Sequence, residues 1–132
     1  MRKLIFGMVM VAASSVAIAD GMDGNWQTAA GDDGGYLQVA LGPCETDADK
    51  TCGTITKAFT TEGEDPDYEN LGKAIVTDMS SHNGKTYSGG TVWDPEKDKT
   101  YKSKMHLKGD VLDVEGCISF ICIGQDWKRI ED

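Results

Sequence analysis

The side chains that could perform acid–base or nucleophilic catalysis are few in this sequence. Its two histidines, His82 and His106, lie beside a turn signal and on the polar side of an alternating segment. Neither has the Ser, Cys or carboxylate pattern of a catalytic triad or a general-base pair. The sequence therefore predicts no catalytic residue and no enzyme.

One acidic segment resembles the start of a calcium loop, because Asp94, Glu96 and Asp98 occupy alternate positions. An EF-hand loop also needs Gly at its sixth position and Glu at its twelfth, where this chain has Lys99 and Met105. The segment therefore predicts a turn, and we expect no metal ion and no cofactor.

The N-terminal segment has the three parts of a secretory signal peptide. Arg2 and Lys3 give a positive start, an apolar run follows, and Ala17-Ile18-Ala19 is the small-x-small pattern of a cleavage site. The apolar run is too short to cross a bilayer, although an uncleaved anchor is the alternative. We predict that residues 1–19 are removed and that residues 20–132 form one periplasmic or secreted domain.

All four cysteines, Cys44, Cys52, Cys117 and Cys122, lie in the exported part. An even number in a short exported chain indicates disulfides, with three possible pairings. The local pairing, Cys44 with Cys52 and Cys117 with Cys122, is favoured because each pair brackets a predicted hairpin turn. A zinc site is the alternative, but the spacings are not the tight pairs of a zinc ribbon.

The charge balance restricts the partners. Removal of 19 of the 132 residues leaves 113, with 11 basic and 22 acidic side chains. Phosphates would repel such a chain, which argues against nucleic acid and anionic membrane surfaces as partners. No later run is long enough for a membrane span. The same balance permits a cationic protein as a partner, and acidity that only confers solubility is the alternative.

Alternation of polar and apolar residues dominates the rest of the chain, as in 36–41 and 101–107. Turn signals such as Asn83-Gly84 separate the alternating segments. The pattern predicts about eight strands, near 24–29, 35–42, 52–60, 71–79, 85–93, 99–107, 110–117 and 122–130. Short sequential strands favour an all-β fold, a small up-and-down antiparallel barrel without exposed sheet edges.

Two segments resemble the lipocalin-like superfamily. Gly24-Asn25-Trp26 begins the first predicted strand, and Trp127-Lys128-Arg129 ends the last. The resemblance implies that the Arg129 guanidinium lies on the Trp26 indole and closes one end of the barrel. Gly24, Trp26, Trp127 and Arg129 would then be structural residues. The alternative is that both tryptophans are ordinary core residues.

The chain is also similar to DUF2147, a bacterial exported family with a lipocalin-like barrel and no settled activity. The matching motifs are Gly24-x-Trp26, Pro43-Cys44, Cys52-Gly53, Leu71-Gly72, Gly89-Gly90, Val92-Trp93-Asp94-Pro95, Thr100-Tyr101, Leu112-x-Val114-x-Gly116-Cys117, Cys122 and Gln125-x-Trp127-x-Arg129. One departure is Asp98, where the family usually has Gly in a turn. The resemblance implies a fold and a bacterial exported location, periplasmic or secreted, rather than an activity.

An up-and-down barrel places alternate links at the same end. The links 31–35, 60–70 and 94–98 would therefore join the hairpin tip between Cys117 and Cys122, opposite the Trp26–Arg129 closure. The first three links carry ten carboxylates: Asp32, Asp33, Glu62, Glu64, Asp65, Asp67, Glu69, Asp94, Glu96 and Asp98. The sequence thus predicts an acidic rim.

The hairpin tip, Ile118-Ser119-Phe120-Ile121, is apolar where turns are normally polar. We predict a ligand-binding mouth with an apolar side and an acidic side that selects neutral or cationic partners. Its predicted residues are Ile118, Phe120, Ile121, Glu62, Glu64 and Asp65. The alternative is that the tip fills the barrel core.

Three functions remain as hypotheses. The leading one is a non-enzymatic exported protein that binds a small apolar or amphiphilic ligand, because eight strands leave room for one small molecule. The second is an acidic protein–protein interaction module, such as an inhibitor of a cationic secreted enzyme like lysozyme. An undetected hydrolase ranks last.

Overall fold

The regular structure of residues 21–131 is built from β-strands. A computed structural model describes residues 21–131, so the predicted signal peptide lies outside the described residues. The strands are β1 Gly24–Gln27, β2 Tyr36–Pro43, β3 Thr51–Thr60, β4 Gly63–Glu64, β5 Ala74–Ser81, β6 Thr86–Asp94, β7 Lys99–Lys108, β8 Val111–Ile118 and β9 Ile121–Ile130. Residues 21–131 include no helix long and apolar enough to cross a membrane.

Eight of these strands close into one antiparallel barrel. Neighbours along the chain pair with each other, except that β5 pairs with β3 instead of β4, and β1 pairs with both β2 and β9. The two-residue β4 pairs only with the end of β3, outside the ring. Closure leaves the eight ring strands without a free edge. The predicted fold is confirmed, and each ring strand lies within three residues of its predicted bounds.

One end of the barrel, here called the closed end, is shut by the segment that precedes β1. The Arg129 guanidinium carbon lies 4.4 Å from the centroid of the Trp26 ring. Its two terminal nitrogens donate hydrogen bonds to the backbone oxygens of Asp23 and Gly21, at 2.9 and 3.0 Å. Met22, fully buried, accepts a bond from the Trp26 indole nitrogen at 2.8 Å. Arg129 thus covers the Trp26 indole and also binds the segment that precedes β1, here called the crossing segment.

The geometry of the closed end explains why the Gly-x-Trp motif begins with glycine. Gly24 has a φ of 131°, a conformation that L-residues rarely adopt. A Cβ at this position would also lie 3.0 Å from an Arg129 terminal nitrogen. A larger residue would therefore strain the backbone and press on the guanidinium that covers Trp26.

The barrel interior is packed at the closed end and around its middle. Strand alternation directs one side chain in two to the inside, which the hydrophobic effect then fills. The buried core consists of Met22, Trp26, Val39, Leu41, Ile55, Ile75, Val76, Met79, Tyr87, Met105, Leu112, Val114 and Trp127.

Two disulfides hold hairpin links at opposite ends. Cys44 pairs with Cys52 at the closed end, and Cys117 pairs with Cys122 at the other, the open end. This is the local pairing that the sequence favours. It is consistent with an exported protein, because disulfides persist in oxidising compartments.

Candidate ligand site at the open end

A cavity of about 800 Å³ occupies the open end of the barrel. This volume is within the range of about 300–1,000 Å³ that small-molecule sites occupy. Residues from all four links of the open end line it: from 28–35, from 65–70, from 94–97 and from the hairpin tip. The first and third of these links approach each other closely. If Gly31 carried a Cβ atom, that atom would lie 2.8 Å from the Glu96 carboxylate.

The floor and lower walls of the cavity are apolar. Ile75, Val114 and Trp127 belong to the buried core and also line the cavity, so they form its floor. The Trp127 indole nitrogen donates a hydrogen bond to the Gln125 side-chain oxygen at 2.8 Å. Because the indole nitrogen is already paired, Trp127 presents apolar ring surface to the cavity. Leu37 adds further apolar surface to the wall.

Five aromatic rings besides Trp127 line the same space. Tyr36 and Phe59 face each other on the paired strands β2 and β3, and their rings stack with centroids 4.8 Å apart. The other three lining aromatics are Tyr68, Trp93 and Tyr101. Aromatic faces can pack against alkyl chains and can also attract a cation, because the ring face carries partial negative charge.

Carboxylates dominate the charge around the cavity. The rim carboxylates, defined as those that line it, are Asp33, Asp65, Glu69, Asp94 and Glu96. Lys97 is the one lining residue of opposite charge. Within residues 21–131 the ion pairs are His106–Glu115 and Arg129–Asp110, neither of which involves the rim. The rim carboxylates therefore have no basic side chain of the described chain within 4.0 Å.

Short turns hold three of the rim carboxylates in place. An oxygen of Asp33 accepts a hydrogen bond from the Gly35 amide at 2.9 Å, and an oxygen of Asp94 accepts one from the Glu96 amide at the same distance. Asp65 accepts a longer bond, 3.2 Å, from the amide of Asp67. Such turns leave the second carboxylate oxygen available to a ligand.

The long link, residues 61–73 between β3 and β5, folds back against the barrel. The Asp65 amide donates to the Ala58 oxygen at 2.8 Å, and Tyr68 and Leu71 pack against the core. Asn70 lines the cavity with only 8% of its surface exposed, and its side-chain nitrogen donates to the Tyr68 hydroxyl at 3.1 Å. No residue in 21–131 donates a hydrogen bond to the Asn70 side-chain oxygen. The cavity thus contains a buried acceptor that lacks a protein partner.

The closely spaced groups of potential metal ligands in the described chain do not lie at the rim. Each group, one near Asp78 and one near Glu115, contains two cysteines that are already joined in a disulfide. The rim carboxylates lie farther apart than such a group requires.

Comparison with known proteins identifies the family of the chain and agrees with its barrel fold. Residues 24–129 match the model of an uncharacterized protein family conserved in bacteria, DUF2147. The chain belongs to the DUF2147 family. No curated protein matches it. Among solved structures it is similar to the protein HP1028 from Helicobacter pylori, described as belonging to the lipocalin family, with a TM-score of 0.65 and 15% identity over 84% of each chain. At this identity the likeness shows a shared lipocalin-like fold.

In this DUF2147 barrel, three of the six predicted ligand residues line the cavity: Ile118, Ile121 and Asp65. Glu62 and Glu64 lie on the β3–β4 hairpin and do not line the cavity. That hairpin extends from the end of β3 and is not part of the ring, and both side chains are exposed.

Phe120 also lies outside the cavity lining, and it is 99% exposed. The tip has a two-residue turn, in which Ser119 takes a left-handed φ of 57° and Phe120 projects beyond the rim. Ile118 and Ile121, at the strand ends, are also largely exposed. The alternative expectation, that the tip fills the barrel core, is wrong.

Sequence reasoning missed the aromatic wall and the buried Asn70. Alternation along a strand indicates which side chains face inward, but not how deep in the barrel they lie. Depth depends on the register between strands, such as Tyr36 opposite Phe59. In the long link, the sequence signal for inward packing is the presence of two large apolar side chains, Tyr68 and Leu71, in an otherwise acidic segment.

Proposed function

We propose that this DUF2147 protein is a non-enzymatic exported binding protein that holds one small apolar or amphiphilic molecule in the open-end cavity. The observation that carries the proposal is an accessible cavity of about 800 Å³ with an apolar floor. Apolar surface that enters it gains about 25 cal/mol per Å² removed from water. The closed barrel and the disulfide-held tip form the site in advance, which lowers the ordering cost of binding.

The proposed place of action is the bacterial periplasm or the cell exterior. Two disulfides, the bacterial family and the N-terminal signal pattern support this location. A carrier there would shield an apolar molecule from water between membranes or between proteins.

The binding proposal can be tested with a neutral apolar fluorophore, N-phenyl-1-naphthylamine, whose emission rises in apolar surroundings. Two matched variants separate cavity filling from general perturbation. Leu37 and Leu107 are both half-buried leucines packed against the core, but of the two only Leu37 lines the cavity. Leu37→Trp should fill part of the cavity, and Leu107→Trp should leave it open.

We expect the wild-type protein to bind the fluorophore, Leu37→Trp to bind it at least about tenfold more weakly, and Leu107→Trp to retain the affinity. Far-ultraviolet circular dichroism establishes that both variants are folded. No binding by the folded wild-type protein would refute the proposal. Equal loss in the two variants would show that general perturbation, and not cavity filling, weakens binding, and unchanged binding in both would show that the dye binds outside the cavity.

The exposed tip supports a second candidate function, recognition of a cationic protein at the open end. A fully exposed Phe120 next to an acidic rim has the composition of an interface anchor, since interfaces are enriched in aromatic residues. Inhibition of lysozyme, lost in Phe120→Ser, would favour this function. Unchanged lysozyme activity at excess protein would count against that enzyme as the partner.

A further inference from the structure

The charge of the mouth indicates which polar group the cavity accepts. We propose that the occupant is an amphiphile whose polar end is an ammonium group, with its apolar part on the cavity floor. This inference rests on the proposed binding function and adds the chemical class of the ligand.

The first observation is the uncompensated charge of the mouth. Five carboxylates and one ammonium, that of Lys97, line the cavity. No described Lys, Arg or His nitrogen lies within 4.0 Å of the rim carboxylates, although the chain forms ion pairs elsewhere. Carboxylates gathered around one opening repel each other, and a bound cation relieves that repulsion. An anionic head group would increase it.

The second observation is the buried amide of Asn70. Its side-chain oxygen accepts no hydrogen bond from residues 21–131, while its nitrogen already donates to the Tyr68 hydroxyl. Buried polar groups are normally paired, so this oxygen is a site for a donor brought by a ligand. An ammonium N–H is such a donor, whereas a sulfate or carboxylate head offers acceptors alone.

The third observation is that the charged and aromatic groups occur together. The long link supplies Asp65, Glu69, Asn70 and the Tyr68 ring to the same cavity. A cation there has carboxylates for charge pairing, an amide oxygen for a hydrogen bond and a ring face for a cation–π contact.

The arrangement also sets the orientation of the ligand. The rim carboxylates belong to the links at the mouth, whereas Ile75, Val114 and Trp127 form the floor. The alkyl part is therefore directed inward, and the ammonium group lies toward the long link.

Three probes with the same alkyl chain test the charge preference: decylammonium, decyl maltoside and decyl sulfate. Each is titrated below its micelle-forming concentration against the full-length exported protein, by calorimetry and by displacement of N-phenyl-1-naphthylamine. The test variant is Asp65→Asn with Glu69→Gln. The matched control is Glu45→Gln with Asp49→Asn, which makes the same charge change on exposed residues of the closed-end link.

We expect decylammonium to bind about tenfold or more tightly than decyl sulfate, and the ratio to shrink as salt rises. The test variant should reduce decylammonium affinity by about three- to tenfold and leave decyl maltoside unchanged. The control variant should change neither. Equal binding of all three probes, or equal effects of the two variants, would overturn the ammonium preference but leave the binding function intact. Absence of binding by every probe, the fluorophore included, would overturn the binding function itself.

Discussion

At the scale of single residues, Arg129 is the side chain with the most connections at the closed end. It contacts the Trp26 ring, donates to two backbone oxygens, and lies 3.4 Å from a carboxylate oxygen of Asp110. Asp110 itself is solvent-exposed, so this pair contributes little. The stabilising contacts are therefore those with Trp26 and with the crossing segment, which also keep Met22 in the core.

Arg129→Ala should lower the free energy of unfolding by about 2 kcal/mol, because it removes a cation–π contact and two charge-assisted hydrogen bonds. Urea denaturation of both proteins measures this difference. Lys128→Ala is the control, since the neighbouring Lys128 is exposed. An Arg129→Ala variant as stable as the control would show that the closure adds nothing to stability.

Of the three apolar tip residues, Ile118 and Ile121 line the cavity and Phe120 does not. Phe120→Ser should leave both stability and fluorophore affinity unchanged, since Phe120 has no buried surface to lose. Ile118→Ser should weaken fluorophore binding by about three- to tenfold, because Ile118 lines the mouth. Fluorescence titration of the two variants measures both effects. Loss of binding in Phe120→Ser alone would assign the ligand to the exterior of the tip.

At the scale of strands and links, the sequence predicted the barrel well because alternation and turn chemistry are local signals. Asn83-Gly84 and Asp94-Pro95 mark turns by residue type alone, and the observed strands end beside them. The long link was predicted as an acidic loop. Its inward packing depends on Tyr68 and Leu71 meeting a core built by distant strands, which no local pattern encodes.

The two disulfides allow a comparison between equivalent links at opposite ends. Replacing either pair by serines should lower the free energy of unfolding by about 2 kcal/mol, because each bond closes a short loop. The effects on binding should differ. Loss of Cys117–Cys122 should weaken fluorophore binding, since that bond holds Ile118 and Ile121 at the mouth, whereas loss of Cys44–Cys52 should not.

Thermal denaturation and fluorescence titration of the two double-serine variants test this difference. If both variants lost affinity equally, the effect would come from general destabilisation rather than from the mouth.

At the scale of the whole molecule, the two ends of the barrel differ in construction. The closed end is packed with Trp26, Met22 and Tyr87 and joined by hydrogen bonds across the crossing segment. The open end has a cavity, and the long link that borders it has weaker backbone bonds, such as those from the Tyr68 and Leu71 amides at 3.3 Å. Stability should therefore concentrate at the closed end, with the binding site on the less stable part.

Amide hydrogen exchange tests this division in one experiment. In the free protein, amides of β1 and β9 should exchange only on global unfolding, and those of residues 65–71 should exchange much faster. A bound ligand at about one hundred times its Kd should raise the free energy of unfolding by about 2.7 kcal/mol, because it binds the folded state alone. It should also slow exchange in 65–71, which borders the cavity, before it affects any link of the closed end. Ligand protection confined to the closed-end links 44–50 and 82–85 would place the binding site at the wrong end of the barrel and contradict the proposed mouth.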